Sequence, residues 1–199
     1  LAEHTMLHLC RILKRLNKQN PCYDQLKTEA DILRRLNHPC IPELYDVLED
    51  PEYLVLVEEY MEGESLKSFC VRGEGLSEEV FFHFAVQICD ILHYLHSSED
   101  ELLYLDLKPE NILVSEDRLS LVDFGCAVPA SMAEKRRFGL GTPGFAAPEL
   151  REGRTVCVQT DIYAAGMVLN QMYSGMSRGV NRRLADHIRR IIERCTAEV

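Results

Sequence analysis

The residues best suited to chemistry form one dense run, Tyr104-Leu105-Asp106-Leu107-Lys108-Pro109-Glu110-Asn111. Twelve residues past Asn111 stands Asp123-Phe124-Gly125, after the apolar pair Leu121-Val122 and ending on a glycine that lets the chain turn. Lys108 lies two residues from Asp106, so an extended loop presents both side chains on one side. Two acids, an amide and a lysine on neighbouring loops suit metal-assisted phosphoryl transfer. That reaction asks little covalent chemistry of a protein; it needs Mg²⁺ held by oxygen ligands and a cation beside the group in flight. Asn111 and Asp123 are hard oxygen donors, and Lys108 is a cation. A second anchor is Gly141-Thr142-Pro143-Gly144-Phe145-Ala146-Ala147-Pro148-Glu149.

The elements that must hold these groups can be read from periodicity. Residues 7–13 read as a strand. Asp24 can cap a helix to about residue 37, with Leu26, Ala30, Leu33 and Leu36 at helical spacing. His38-Pro39 ends it, because the residue before a proline is pushed out of the helical region. Residues 44–48 and 53–57 read as strands joined at Glu49-Asp50-Pro51. Gly63 and Gly73-x-Gly75 loosen the chain and suggest a boundary there. Ser77 then caps a long helix with Glu78 and Glu79 in its first turn and a buried stripe of Phe81, Phe84, Ile88, Ile91 and Leu95. Short apolar runs at 112–114 and 119–122, a Gly/Pro-rich loop over 125–149 and helices over 161–173 and 184–196 complete the chain. Strands plus one helix, followed by mostly helices, predict an α+β fold in two lobes: residues 1–62, and the mainly helical residues 63–199.

With 199 residues, 46% of them hydrophobic and 27% charged, the chain is long enough to bury a core. Its net charge of −10 argues against holding a nucleic-acid backbone, which needs clustered Lys and Arg. No apolar run approaches the ~18 residues of a membrane span, and Leu1-Ala2-Glu3-His4 lacks the basic start of a secretory signal. A first residue of Leu rather than Met reads as part of a longer protein. The eight cysteines are scattered, with no C-x-x-C, which predicts reduced thiols, a cytoplasmic location and no structural zinc.

The D-L-x-x-x-N element at 106–111, the D-F-G at 123–125 and the A-P-E at 147–149 resemble, in order and spacing, the Ser/Thr branch of the eukaryotic-type protein kinases. The resemblance covers nearly the whole chain. It implies a two-lobe protein-kinase-like fold, incomplete at both ends, that uses ATP and Mg²⁺ and takes a protein substrate with a Ser or Thr acceptor. It also assigns roles. Asp106 would accept or orient the hydroxyl proton, Lys108 would stabilise the moving phosphoryl group, and Thr142 would touch the catalytic loop. Asn111 and Asp123 would bind Mg²⁺. Glu29 matches the glutamate of the small-lobe helix, Glu59-Tyr60-Met61 looks like the adenine-binding hinge, and Asp161-Ile162-Tyr163-Ala164-Ala165-Gly166 looks like the core helix of the large lobe. The strand cation that should pair with Glu29 is Arg11, 18 residues before it, or Lys14, 15 before it; aligning Cys10-Arg11-Ile12-Leu13 with the family strand favours Arg11.

Several positions depart from the pattern. No glycine-rich loop precedes Leu7, and the Gly-x-Gly-x-x-Gly at 139–144 runs into the A-P-E element instead of following a strand. Both the missing loop and the uncertain strand cation keep a pseudokinase, a binding module of the same fold, as the alternative. Tyr104 and Leu105 stand where histidine and arginine are usual. Leucine cannot bond a phosphate, so phosphorylation of the loop, whose hydroxyls are Ser131 and Thr142, is not expected to switch the protein. Glu58 falls at the back of the adenine pocket, and Glu149 is expected to lack its arginine partner within this chain. Weaker signals are Cys89, His93 and His96 at metal-ligand spacing on a helix, the basic run Lys135-Arg136-Arg137, and Glu62, Glu64 and Glu110 as a cleft edge favouring basic peptides.

Overall fold

The computed structural model describes residues 1–3, 8–72, 76–135, 142–176 and 181–197. The start of the strand expected from Leu7, the Gly73-x-Gly75 boundary, Arg136-Arg137 and most of the 139–144 glycine run lie outside the described residues.

The N-terminal part is a four-stranded antiparallel sheet with a helix on it. In chain order it contains β1 (Ala2–Glu3), β2 (Cys10–Asn17), α1 (Tyr23–Leu33), β3 (Leu44–Glu49) and β4 (Tyr53–Glu59), with strand order β1-β2-β4-β3. Along β4 the side chains alternate, burying Leu54, Leu56 and Glu58 on one face. The β2–β4 register sets Leu16 opposite Leu54, Lys14 opposite Leu56 and Ile12 opposite Glu58, so these six share that inner face. The inner face of α1 meets it: Leu26 and Ala30 form a buried cluster with Leu54 and Leu56, and Glu29 is carried inward on the same stripe.

The remainder holds β5 (Glu64–Ser65), α2 (Leu66–Val71), α3 (Glu78–His96), β6 (Leu102–Leu103), β7 (Ile112–Ser115), β8 (Arg118–Leu121), β9 (Val128–Pro129), a 3₁₀ turn (Ala130–Lys135), α4 (Pro148–Glu152), α5 (Val158–Ser174) and α6 (Arg182–Cys195). Strands β5, β7 and β8 form one small antiparallel sheet; β6 and β9 form another. Ser77 caps α3 as expected, its hydroxyl accepting from the Val80 N–H at 3.2 Å. The expected stripe of α3 packs on Val168, Leu169 and Met172 of α5 and on Leu119 and Leu121 of β8. Gly166 lets α5 and α6 approach closely, since a Cβ there would lie 2.7 Å from Cβ of Cys195. Ile32, Leu33, Leu36 and Ile41 join this same buried cluster, so the core runs from the first helix into the helical body.

Element boundaries moved where pairing overrode local pattern. The first strand runs to Asn17 because β4 pairs with it from Arg11 to Asn17. Helix α1 begins at Tyr23, after Cys22, so Asp24 lies inside its first turn and does not cap it. The helix expected from Asp161 starts at Val158, which places Asp161 inside the helix, fully buried. The short helices α2 and α4 were not anticipated; each is too brief to show periodicity.

Candidate active site

The loop between β6 and β7 brings Asp106, Lys108, Asn111 and Thr142 together. Lys108 Nζ donates to Asp106 Oδ2 at 2.7 Å and to Thr142 Oγ1 at 3.1 Å, while Thr142 Oγ1 donates to Asp106 Oδ1 at 3.2 Å. Asn111 Nδ2 donates to Asp106 Oδ2 at 3.0 Å and to its backbone oxygen at 3.1 Å. The Asp106 carboxylate therefore sits in a fixed frame of donors contributed by two segments. The Asn111 N–H bonds to the Lys108 carbonyl, and the Val122 N–H bonds to the Asn111 carbonyl, which ties the loop to the segment carrying Asp123.

Beneath this loop lies Asp161 of α5. Its Oδ2 accepts from the Tyr104 N–H at 2.8 Å and its Oδ1 from the Leu105 N–H at 2.8 Å; His96 Nε2 lies 2.8 Å from Oδ2. Three partners offset the desolvation of a buried carboxylate. They also hold Leu105 at φ 64°, a left-handed conformation that costs a non-glycine residue energy. Asp161 thus positions the residues just ahead of Asp106. Its role was hidden in the sequence, where it reads as an ordinary first-turn acid. The same bond removes His96 from the suspected metal trio: His93 Nδ1 lies 3.2 Å from Ser97 Oγ, and no group of three or more His, Cys, Asp or Glu suited to a metal occurs among the described residues.

The two unusual residues before Asp106 have apolar or internal partners. Tyr104 is fully buried, its hydroxyl donating to the Val122 carbonyl at 2.6 Å and its ring meeting Phe124 edge-on at 5.2 Å. Burial pushes its phenol well above the ordinary value, so it stays a neutral donor. Leu105 packs with Leu103, Val128, Ala133, Ala146, Leu150 and Val156, joining the catalytic loop to both ends of the Gly/Pro-rich segment.

The opposite wall is built around Lys14. Its Nζ lies 2.5 Å from Glu29 Oε1, 3.4 Å from Glu58 Oε2 and 3.7 Å from Asp123 Oδ1. Glu29 Oε1 also accepts from the Phe124 N–H at 2.9 Å, locking α1 to the D-F-G turn. Lys14 is therefore the cation paired with Glu29, and the expectation favouring Arg11 is corrected. The reason is the period of two: residues three apart on a strand face opposite sides. The Arg11 guanidinium instead lies 4.0 Å from the centroid of Tyr45 and donates to the Cys10 carbonyl at 2.8 Å. Burial pulls the Lys14 ammonium down, but Glu29 and Glu58 outweigh it and leave its pKa raised. Burial likewise drives Glu58 up to about 7, against the pull of Lys14 and with a push from Glu29. Glu58 Oε1 is closed to water and has no hydrogen-bond partner. Asp123 sits at φ 66° with its side chain 55% exposed.

Between the walls is a cavity of ≈ 350 Å³, with Ile12, Leu113 and Val122 as apolar surfaces, Lys14, Glu58 and Asp123 at its polar end, and Glu59, Tyr60 and Met61 along the chain leaving β4. Gly63 closes that edge: at φ 136° a Cβ would lie 2.5 Å from the Val114 carbonyl oxygen, so only glycine lets β5 pair with β7. Glu149 has a partner after all, the Thr160 hydroxyl donating to it at 2.7 Å. At the cleft edge Glu110 is paired with Lys67 at 2.8 Å and Glu64 with Arg72, which weakens their pull on a basic peptide.

Residues 7–196 match the family model for the protein kinase domain. Among similar curated proteins, myosin light chain kinase 3 of Danio rerio is 35% identical over 158 residues, 77% of this chain and 22% of that protein. Death-associated protein kinase 2 of Mus musculus is 33% identical over 168 residues, 82% of this chain and 45% of that protein. Serine/threonine-protein kinase ULK3 of Xenopus laevis is 32% identical over 193 residues, 96% of this chain and 40% of that protein. The chain spans less than half the length of each of these relatives. The matched stretch contains both walls of the cleft and the helix beneath them, and the chain belongs to the protein kinase domain family.

Proposed function

We propose that this chain transfers the γ-phosphoryl group of ATP to a Ser or Thr hydroxyl of a protein substrate. The observation that carries this reading is the donor frame around Asp106, made by Lys108, Asn111 and Thr142. An acceptor hydroxyl beside Asp106 gives its proton to, or is oriented by, a carboxylate already held in place. Lys108 supplies positive charge where negative charge builds on the phosphoryl group, with little reorganisation left to do. The adenine ring is held between Ile12, Leu113 and Val122, beside Glu59 and Met61, and Lys14 meets the phosphates. On this reading residues 1–62 and 63–199 are the two lobes and the cleft lies between them.

Asn111 and Asp123 would hold Mg²⁺, and the donor set fits. The Asn111 bonds to Asp106 run through its amide nitrogen, which leaves the amide oxygen for a cation, and the Asp123 carboxylate is half-exposed toward the cleft. Two protein oxygens suit Mg²⁺, which keeps its waters and takes phosphate oxygens. When bound, the ion neutralises phosphate charge.

The cytoplasm is the proposed location; no described helix is long and apolar enough to cross a membrane. The crowding of Lys14 by three carboxylates favours a second reading, a pseudokinase that binds partners without transfer. Incubating the full chain with ATP, Mg²⁺ and a generic basic protein separates the two. Phosphate incorporation that falls about 10²-fold or more in Asp106→Asn supports the enzyme. Equal incorporation by both proteins supports the pseudokinase.

A further inference from the structure

Glu58 is the one residue of the cleft wall that local pairing leaves unexplained. It is 3% exposed, on the inner face of β4, in line with Leu54 and Leu56, where an apolar side chain would cost nothing. Its Oε2 is satisfied by Lys14, while its Oε1 is buried, unpartnered and part of the residue lining the cavity between Lys14 and the chain leaving β4. A buried acceptor with no donor is costly, and the cost disappears if whatever fills the cavity brings an N–H. The charged groups around it, Lys14 on β2, Glu29 on α1 and Asp123 after β8, include one cation, whose ammonium is shared among all three acids. The missing donor must therefore come from the ligand.

We infer that Glu58 is a specificity-determining residue, whose unpartnered Oε1 accepts a hydrogen bond from an exocyclic amino group on the base held in the cleft. This rests on the nucleotide reading of the same site. A base with a carbonyl oxygen at that edge sets acceptor against carboxylate and leaves both unsatisfied. The cleft then selects an aminopurine over its oxo counterpart by more than shape, because the two are nearly isosteric.

The test is equilibrium binding of ATP and of ITP, each with Mg²⁺, to the full chain and to Glu58→Met and Glu58→Gln, with thermal melting to confirm folding. The wild-type chain is expected to prefer ATP by about ten- to a hundredfold, the range of one hydrogen bond to a charged group. That ratio should shrink in Glu58→Met. It should shrink in Glu58→Gln as well, chiefly by tighter ITP binding, because an amide can turn its N–H toward the carbonyl. If both nucleotides bind and the ratio is the same in all three proteins, the inference is overturned while the nucleotide reading stands. A uniform change in affinity for both nucleotides at a fixed ratio assigns Glu58 to the charge of Lys14 alone and also overturns it. If neither nucleotide binds the wild-type chain, the inference and the reading beneath it fall together. A wild-type ratio near one overturns it without any variant.

Discussion

The two walls of the cleft solve the same problem, holding charge in place, by different means. On the loop wall every polar group of Asp106, Lys108, Asn111 and Thr142 has a partner within a few residues or from the adjoining segment. On the rear wall one ammonium is shared by three carboxylates from β4, α1 and the turn after β8, and one carboxylate oxygen is left over. A closed network of hydrogen bonds holds its geometry without a ligand. An unbalanced charge cluster is settled by what enters it. The difference predicts that the loop wall sets the rate of transfer, and that the rear wall sets what binds and how tightly.

The largest effect expected from breaking this division is at Asp161, which serves the loop wall from below. Asp161→Ala strands the Tyr104 and Leu105 N–H groups and should lower stability by about 3 kcal/mol, read by denaturant unfolding, with transfer lost in parallel. Next comes the rear wall. Lys14→Met should weaken ATP binding by about tenfold or more in calorimetry, whereas Arg11→Met, which loses a surface contact with Tyr45, should change it by no more than about twofold. Equal losses would mean that the register of β2 is misassigned.

A smaller effect is the pH response of Glu58. Its folded pKa of about 7 lies above that of the unfolded chain, so the folded state holds a proton that the unfolded state releases. Stability from this group is therefore present at low pH and is lost as pH rises from the ordinary carboxylate range through about 7, by an amount on the order of 1–3 kcal/mol. Thermal melts of Glu58→Gln should show a flatter slope over that window; an unchanged slope would refute the assignment. The smallest effect is at Ser131. Leu105 joins the catalytic loop to Val128, Ala133 and Ala146 through apolar packing, with no arginine to read a phosphate. Ser131→Asp should leave transfer within about twofold of wild type, and a large gain would show that charge switches this segment after all.

How much of this was legible in the sequence follows the same division. Asp106, Lys108 and Asn111 stand within six consecutive residues, and Thr142 precedes a recognisable element, so type and spacing alone bring them together. Lys14 and Arg11 cannot be told apart in that way. The choice depends on which residue of β2 faces Leu56 across the sheet, and strand register is set by pairing that no local pattern records. Asp161 was invisible for another reason: buried acids whose partners are backbone N–H groups leave no complementary residue to find. The fold class was readable because α3, α5 and α6 carry long apolar stripes and β4 alternates cleanly. The short α2 and α4 carry neither signal.

The central claim is that binding and transfer are lodged in separate walls. Measuring the ATP dissociation constant and the single-turnover transfer rate on the same preparation of Asp106→Asn tests it most directly. The account predicts a dissociation constant within about threefold of wild type and a transfer rate lower by about 10²-fold or more. Loss of both together, or transfer that survives, would contradict it.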